Sequence, residues 1–399
     1  MRENLIYTYH MNPAVPMHEP LDYGGHTAEG EVRLDCSLGV DPKALDTAIL
    51  DSLNQQNNHA LESYVKSYPH DDAVKAALTA WYQSLLPGRE WLAEECFVMG
   101  NGSYGILSAL NRLFLGPGRR VLGCGPQFTA YVDSVYYTGA VYEACLLRPE
   151  DRYRFDAERY LSRMSEAYDL FILENPNNPT GRLIPKEEIE KIAEKAASLR
   201  RVLIVDEAYA DYLSPDETAV DLLRDHPNII VTRSFSKGFG MAGIRAGYAV
   251  CAPGSGIAPE LEKAALPFQC NSFARKLAEA ALYAKMGKND PFGTDGIRKA
   301  KAAVRDGIAA LYEGRPQKLF MAETSLSVPI FMLYTKEKAK EGTEADLFEL
   351  FRKCGVLTVS CRTYPGLDAR AVRLMLPETD SLPVLMDAIR AVASMLEEL

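Results

Sequence analysis

The sequence predicts an α/β protein whose main sheet is largely parallel. Between about residues 95 and 250, short β-branched apolar runs alternate with longer amphipathic stretches, a pattern typical of strands joined by crossover helices. A sheet of seven strands is expected, from the runs at 95–99, 119–123, 141–146, 169–173, 201–205, 229–233 and 246–251. The intervening helices are expected at 103–114, 126–137, 156–166 and 185–199.

The connection before the last of these strands does not have the pattern of a crossover helix. The chain from Ser234 to Arg245 is rich in glycine and lacks a helical period. It is too short and irregular for a helical crossover, which a parallel neighbour would need. The strand at 246–251 is therefore predicted to be antiparallel.

A second, smaller α+β domain is predicted towards the C-terminus. Alanine-rich helical segments are followed by three candidate strands and a final helix, at 271–287, 294–313, 327–334, 356–361, 371–376 and from 380. Residues 1–40 are expected to form an irregular arm, which is ordered only if it packs against other residues. We expect the arm and part of the small domain over 1–44, the large domain over 45–285 and the small domain over 286–399.

Composition limits the possible partners and location. Forty-four Lys and Arg against 54 Asp and Glu give a net charge of −10, which argues against binding to nucleic acid or anionic membranes. The apolar runs are too short to span a bilayer, and the N-terminus lacks a secretion signal, so a cytoplasmic protein is expected. The eight cysteines and six histidines show no ligand spacing, which favours reduced thiols and no metal site.

A glycine-rich turn is the first candidate site. The segment 100–105 reads Gly-Asn-Gly-Ser-Tyr-Gly between a predicted strand and a helix, where free N–H groups can bind an anion. A nicotinamide dinucleotide site would need an acidic residue at the end of the next strand, yet that strand ends at Gly123-Cys124-Gly125. A phosphate site and a tight packing turn both remain open.

Acidic and turn-forming residues follow two further strands. Asp206 and Glu207 come directly after an apolar run, as in the magnesium-binding strand of P-loop NTPases, but the chain lacks the phosphate loop that this interpretation requires. What remains is a carboxylate at a ligand-binding strand end, or a helix cap. The segment 175–181 reads Asn-Pro-Asn-Asn-Pro-Thr-Gly, which by itself indicates a stiff turn.

The fourth candidate is a lysine in a glycine-rich loop. Lys237 has hydroxyl residues one and three positions before it, at Ser236 and Ser234, and Arg245 eight positions after it. Such a loop can hold an anion beside a nucleophilic amine.

Together these four segments resemble the pyridoxal-phosphate aminotransferases of fold type I over about residues 20–395. They are most similar to the branch that contains histidinol-phosphate aminotransferase and threonine-phosphate decarboxylase. The lysine loop is nearer the aminotransferase, whereas Gly24-Gly25 and the segment 362–368 are nearer the decarboxylase. Tyr68-Pro69 and the sequence Asp-Glu-Ala-Tyr at 206–209 suit both.

The resemblance implies a mostly parallel sheet with helices on both faces, pyridoxal 5'-phosphate as cofactor and a set of site residues. Lys237 would form the Schiff base with the cofactor, Asp206 would pair with the ring nitrogen, and Tyr209 would complete the catalytic set. Further cofactor contacts are implied for Gly102, Ser103, Tyr104, Phe128, Asn178, Ser234, Ser236, Arg245 and Tyr68. Tyr68 would come from a neighbouring subunit, which makes the protein a homodimer. Arg373 and Arg362 would bind an anionic group of the substrate.

The function implied is amino-group transfer between an amino acid or amino-alcohol phosphate and a 2-oxo acid, in amino-acid biosynthesis. The substrate would be a small anionic amine or amino acid. One alternative is a lyase of the threonine-phosphate decarboxylase kind, which uses the same cofactor to break a different bond. A nicotinamide-dependent dehydrogenase and a non-catalytic binding protein are the remaining alternatives.

Overall fold

The computed structural model describes residues 32–39, 44–56, 58–337 and 345–398. The predicted arm residues 1–31 and 40–43, Gly24-Gly25 among them, lie outside the described residues. The strands are β1 (Leu34–Asp35), β2 (Phe97–Gly100), β3 (Arg120–Gly125), β4 (Val141–Leu146), β5 (Leu170–Glu174), β6 (Val202–Asp206), β7 (Ile229–Ser234), β8 (Gly247–Cys251), β9 (Leu319–Met321), β10 (Ile330–Thr335), β11 (Val356–Leu357), β12 (Val359–Ser360) and β13 (Ala371–Met375).

The α-helices run between and around these strands. They are α1 (Ala48–Asn54), α2 (Asn58–Lys66), α3 (Asp72–Leu85), α4 (Gly102–Phe114), α5 (Thr129–Tyr136), α6 (Ala157–Arg163), α7 (Lys186–Ser198), α8 (Ile257–Ala264), α9 (Ser272–Lys285), α10 (Thr294–Leu311), α11 (Leu347–Lys353) and α12 (Leu382–Glu398). None of the helices in the described ranges is long and apolar enough to cross a membrane.

The main sheet has seven strands in the order β2-β8-β7-β6-β5-β3-β4. Strand β8 pairs antiparallel with both β2 and β7, and the other neighbours are parallel. The predicted seven-stranded, mostly parallel sheet and the antiparallel orientation of β8 are therefore confirmed. The parallel part places the carboxyl ends of β5, β6 and β7 at one edge, where open α/β sheets bind ligands.

Both faces of the main sheet are covered. Along β6, Leu203 and Val205 pack into one core with α7, while Ile204 between them packs into a second core with α4. The same alternation occurs along β5 and β7. Because successive side chains point to opposite faces of a strand, continuous apolar runs such as 202–205 require helices on both sides.

The C-terminal part forms two smaller sheets. Strands β12-β13-β10-β9 make an antiparallel sheet, and β1 pairs parallel with β11. The single strand predicted at 356–361 is wrong. The chain changes sheets at Thr358, because Val356 and Leu357 pair with the arm whereas Val359 and Ser360 pair with β13. The domain boundaries predicted above stay a prediction.

The described part of the arm, residues 32–39, forms hydrogen bonds with both β11 and β13. The Cys36 N–H donates to the carbonyl oxygen of Leu357, and the Met375 N–H donates to the carbonyl oxygen of Cys36, at 2.9 Å each. This pairing carries residues 37–39 towards the carboxyl edge of the main sheet.

Candidate active site

Lys237 lies in a tight loop immediately after β7. The Gly240 N–H donates to the Lys237 carbonyl oxygen at 2.9 Å, and the Gly238 N–H donates to Oδ2 of the buried Asp211 at 3.1 Å. These bonds fix the backbone on the C-terminal side of the lysine. Its Nζ lies 4.8 Å from the centre of the Tyr209 ring, so the amine and the phenol face the same space.

The arm closes this space from the opposite side. A methyl group built on Gly39 would lie 2.8 Å from Tyr209 Oη and 2.9 Å from Lys237 Nζ. The same methyl would lie 3.6 Å from Nη1 of Arg373. The hydroxyl of Tyr209 also donates to the Gly39 carbonyl oxygen at 3.4 Å. A side chain at position 39 would therefore displace the ends of these side chains, and three of the predicted site residues converge on one point.

Asp206 ends β6 next to this space and is buried. Its Oδ1 accepts a hydrogen bond of 2.8 Å from the Thr232 hydroxyl. Burial raises the pKa of Asp206 to about 6, although hydrogen bonds from Thr232 and the backbone of Ala208 and the charge of Lys237 act in the opposite direction. A buried carboxylate with these properties gains stability from a cationic partner, which a protonated pyridine nitrogen would supply.

Glu174 is a buried carboxyl that the sequence analysis missed. It ends β5 directly beside Asp206, its register partner on β6. Burial first, and then the charge of Asp206, raises the pKa of Glu174 well above its usual value. The available signal was an acidic residue that closes the apolar run 170–173 just before the Asn-Pro turn.

Asn178 connects the turn after β5 to Arg373 on β13. Arg373 donates to Asn178 Oδ1 at 3.5 Å and to the Ser37 carbonyl oxygen at 2.6 Å. The hydroxyl of Tyr364 donates to the same oxygen of Asn178 at 3.4 Å. Tyr364 lies in the segment that resembles the decarboxylase, but no motif in that segment assigned it to the site.

The start of α4 and Arg245 form a cradle for an anion. The side chain of Asn101, at the N-cap position, does not cap the helix, because its Oδ1 accepts the Cys270 N–H at 2.7 Å. Gly102 has φ +68°, and a methyl group on it would lie 2.8 Å from Nη2 of Arg245. Arg245 also donates to Ser236 Oγ at 3.4 Å. Helix N–H groups beside a guanidinium suit a phosphate.

Other predicted residues lie around this cradle or away from it. Ser103 and Tyr104 lie in the first turn of α4. The Ser234 hydroxyl accepts the Ser236 N–H at 3.1 Å. Arg362 is exposed and pairs with Asp346 at 2.9 Å, so the structure does not join it to the Arg373 cluster.

Tyr68 lies on the surface rather than beside Lys237 of its own chain. Its side chain stacks on Phe268 with ring centres 4.2 Å apart, and the two residues are 70% and 56% exposed. Nearby Leu266 is also exposed, which leaves an apolar patch at this position.

A buried ionic network contacts the lysine loop through Asp211. Arg233 donates to Glu207 at 2.9 Å and to Asp211 at 3.0 Å, and all three side chains are almost fully buried. Because Asp211 also accepts the Gly238 N–H, this network fixes the backbone next to Lys237. No sequence motif indicates this network, because Arg233 lies 26 and 22 residues from its two partners.

The residues fit pyridoxal phosphate, because an amine just after the end of β7, a buried acid and a separate anion cradle match its aldehyde, ring nitrogen and phosphate. The fold and these positions define the class of pyridoxal-phosphate-dependent transferases. More specifically, the chain belongs to the family described as aminotransferase class I and II, whose model matches residues 28–389. Family membership confirms the predicted resemblance, fold class, type of enzyme and cofactor.

The chain is similar to relatives that are named as two kinds of aminotransferase. The chain is 29% identical to histidinol-phosphate aminotransferase of Chlorobaculum tepidum over 90% of this chain and 93% of the relative. It is 32% identical to aromatic amino acid aminotransferase of Mycobacterium ulcerans over 69% of this chain and 73% of the relative. In two further relatives named histidinol-phosphate aminotransferase, the match spans about half of the relative's length, 49% and 53%.

Solved structures share the fold. Histidinol-phosphate aminotransferase from Sinorhizobium meliloti, solved in complex with pyridoxal-5'-phosphate, superposes with a TM-score of 0.76 at 20% identity, covering 97% of this chain and 98% of that one. L-threonine-O-3-phosphate decarboxylase from Porphyromonas gingivalis gives 0.66 at 17% identity, covering 87% and 97%.

Proposed function

We propose that this protein transfers an amino group between an amino acid or amino-alcohol phosphate and a 2-oxo acid, as the relatives named histidinol-phosphate aminotransferase do, in amino-acid biosynthesis. The observation that carries the proposal is the convergence at Gly39. The amine of Lys237, the phenol of Tyr209 and the guanidinium of Arg373 each have an atom within 4 Å of the position that a methyl group on Gly39 would take. An amine base and an anion-binding group around one small space suit an α-amino substrate with a negative charge.

In this proposal Lys237 holds the cofactor covalently and, once released, moves the proton at the substrate's α-carbon. Bound pyridoxal phosphate supplies the electron sink for that carbon. Asp206 keeps the ring nitrogen protonated, while Asn178 and Tyr209 contact the phenolic oxygen. Phe128 covers one face of the ring.

The phosphate group is assigned to the cradle at the start of α4. The N–H groups of Ser103 and Tyr104 follow Gly102 there, and Arg245 with Ser236 faces them. Ser234 lies two residues before Ser236 at the end of β7 and is assigned to the same group.

Arg373 is assigned to an anionic group of the substrate, because its guanidinium reaches the Gly39 space and is buried. Arg362 is the second candidate. To reach the substrate it must leave Asp346, which holds it at the surface. Exposed ion pairs contribute little stability, so this exchange costs little free energy.

The assembly proposed is a cytoplasmic homodimer. Tyr68 is assigned to the cofactor site of the neighbouring subunit, and its exposure together with Phe268 and Leu266 supports an apolar contact surface. Arg245 is exposed in the single chain, which suits a site that a second chain completes.

The test is spectroscopic and then chemical. The purified protein is expected to bind pyridoxal phosphate with a visible absorption band and a borohydride-reducible link, and Lys237→Ala is expected to fold without that link. An unchanged link in the variant would overturn the assignment of Lys237. A panel of histidinol phosphate, threonine phosphate, aromatic and acidic amino donors then identifies the substrate.

The lyase remains the second candidate, because Tyr364 from the decarboxylase-like segment contacts Asn178. The same panel separates the two reactions. Carbon dioxide released without a keto acid supports the lyase, whereas a keto acid together with the aminated cofactor supports amino transfer.

A further inference from the structure

Glu174 is a buried carboxyl to which the proposed reaction gives no role, yet it touches two segments assigned to the cofactor. Its Oε1 accepts the Phe128 N–H at 2.9 Å. Its Oε2 accepts the side-chain amide of Asn177 at 2.9 Å and the Asn178 N–H at 3.3 Å. One carboxyl group therefore bonds to the loop after β3 and to the turn after β5.

The two segments have different tasks in the proposed site. Phe128 is assigned to the ring face, and Asn178 to the phenolic oxygen on the ring's edge. The Asn177 amide adds a further tie, because it also donates to the Pro126 carbonyl oxygen at 2.9 Å. Glu174 and Asn177 therefore both join the segment of Phe128 to the segment of Asn178.

A charged group in this position is costly unless its hydrogen bonds repay the loss of water. Asp206 lies beside it on the next strand and repels it, while the buried Arg182 acts in the opposite direction. Neutral residues could fill the same volume at less cost. A carboxyl at this position is explained by a task that needs two acceptor oxygens on one planar group, and its two oxygens accept from both segments.

We propose that Glu174 is a positioning residue for the cofactor, one that fixes Phe128 and Asn178 relative to each other by accepting N–H groups from both segments at once. This inference rests on the proposed function, specifically on the roles assigned to Phe128 and Asn178. Glu174 acts through these two residues and is not itself a catalytic residue.

Glutamine is the informative substitution. Its amide has the same shape but only one acceptor oxygen, so its NH₂ group must face either the Phe128 N–H or the donors of Asn177 and Asn178. One of the two segments then loses its bond and meets a donor instead. Aspartate keeps two acceptors but is shorter by one methylene, so it is expected to give an intermediate effect.

The experiment is titration of the apo-protein with pyridoxal phosphate, followed by protein fluorescence. Loss of a buried hydrogen bond that leaves its donor without an acceptor corresponds to about a tenfold to hundredfold weaker interaction. Glu174→Gln is therefore expected to raise the Kd at least about tenfold. The matched control is Tyr160→Phe, which removes buried hydrogen bonds to carbonyl oxygens of Leu122 and Ile172 on the same two strands but touches neither segment. It is expected to leave the Kd unchanged.

A double-mutant cycle distinguishes positioning from general loosening. If Glu174 acts through Asn178, the effect of Glu174→Gln on the Kd is expected to shrink in an Asn178→Ala background. Additive effects, or a Kd unchanged in a folded Glu174→Gln protein, would overturn the inference. Should the glutamine protein fail to fold, the same cycle is run with Glu174→Asp. Failure of the wild-type protein to bind pyridoxal phosphate would instead overturn the proposed function.

Discussion

Arg373 on β13 donates a 2.6 Å hydrogen bond to the carbonyl oxygen of Ser37, and so ties the N-terminal arm to the strand assigned to substrate binding. The other terminal nitrogen of the same guanidinium donates to Asn178 Oδ1 at 3.5 Å. The arm and the turn after β5 are therefore linked through one buried side chain, which is the one assigned to the substrate anion. A substrate anion that binds Arg373 must compete with, or add to, these two contacts.

Arg373→Lys is expected to raise the KM for anionic amino donors by about tenfold to a hundredfold. Lysine keeps the charge but not the planar fork, so it cannot bridge Ser37, Asn178 and a substrate anion together. Steady-state kinetics with the preferred donor and with its uncharged analogue measure the effect. Equal losses for the two donors would contradict the assignment of Arg373 to the anionic group.

Gly39→Ala is expected to lower the kcat at least about tenfold with little change in folding stability. The added methyl would approach Tyr209 Oη and Lys237 Nζ to less than 3.0 Å, and displacement of the lysine amine misplaces the reacting group. The atoms it meets are side-chain ends, which can move. Gly296→Ala on α10 is the control, because a methyl group there meets nothing within 4 Å. A Gly39→Ala enzyme with wild-type kcat would show that the arm does not close the reacting space.

The sequence predicted the strands of the main sheet well, because buried strands such as 170–173 and 202–205 are continuous apolar runs between turn residues. The family resemblance implied Lys237, Asp206 and Asn178 as site residues, and the structure places them at or just after the carboxyl ends of neighbouring strands. The bounds of the helices α1 to α3 were not predicted, although Val74, Leu78, Trp81 and Tyr82 mark one buried face of α3.

The features that could not be predicted from the sequence depend on contacts between distant segments. Glu174 and Asp206 become neighbours only through strand register, and Arg233 finds Glu207 and Asp211 only after β7 pairs with β6. The sheet change at Thr358 depends on the arm, because β11 pairs with β1. None of these partners has a fixed spacing that a pattern could detect.

Arg233→Met is expected to destabilise the protein by about 3–5 kcal/mol, because it leaves the carboxylates of Glu207 and Asp211 buried without a counter-charge. Urea unfolding of the apo-protein measures the change. Arg119→Met is the matched control. It breaks the pair with Asp169 at the surface, where Arg119 is 57% exposed, and is expected to cost less than about 1 kcal/mol. Equal losses in the two variants would show that the buried network does not stabilise the fold.

Asp206→Asn is expected to stabilise the apo-protein relative to wild type above about pH 6, but not near pH 4. Burial raises the pKa of Asp206 to about 6 from 3.8, so between these values the folded protein binds more protons than the unfolded chain. The unfolding free energy of the wild type then falls as pH rises through this window, by up to about 3 kcal/mol from this group. Asparagine does not titrate and avoids that loss. Chemical denaturation of both apo-proteins at pH 4.5 and 7 measures the difference.

Asp46 is a useful comparison, because its pKa is shifted in the opposite direction to the pKa of Asp206. A backbone hydrogen bond from Ala48 and a side-chain bond from Lys288 lower the pKa of Asp46, so its carboxylate stabilises the fold at neutral pH. Asp46→Asn is therefore expected to destabilise the apo-protein at pH 7 and to lose this effect as pH falls through the lowered pKa. With pyridoxal phosphate added, Asp206→Asn should also bind the cofactor more weakly than Asp46→Asn, because only Asp206 is assigned to the ring nitrogen. A stability difference between Asp206→Asn and wild type that stays constant from pH 4.5 to 7 would contradict the raised pKa.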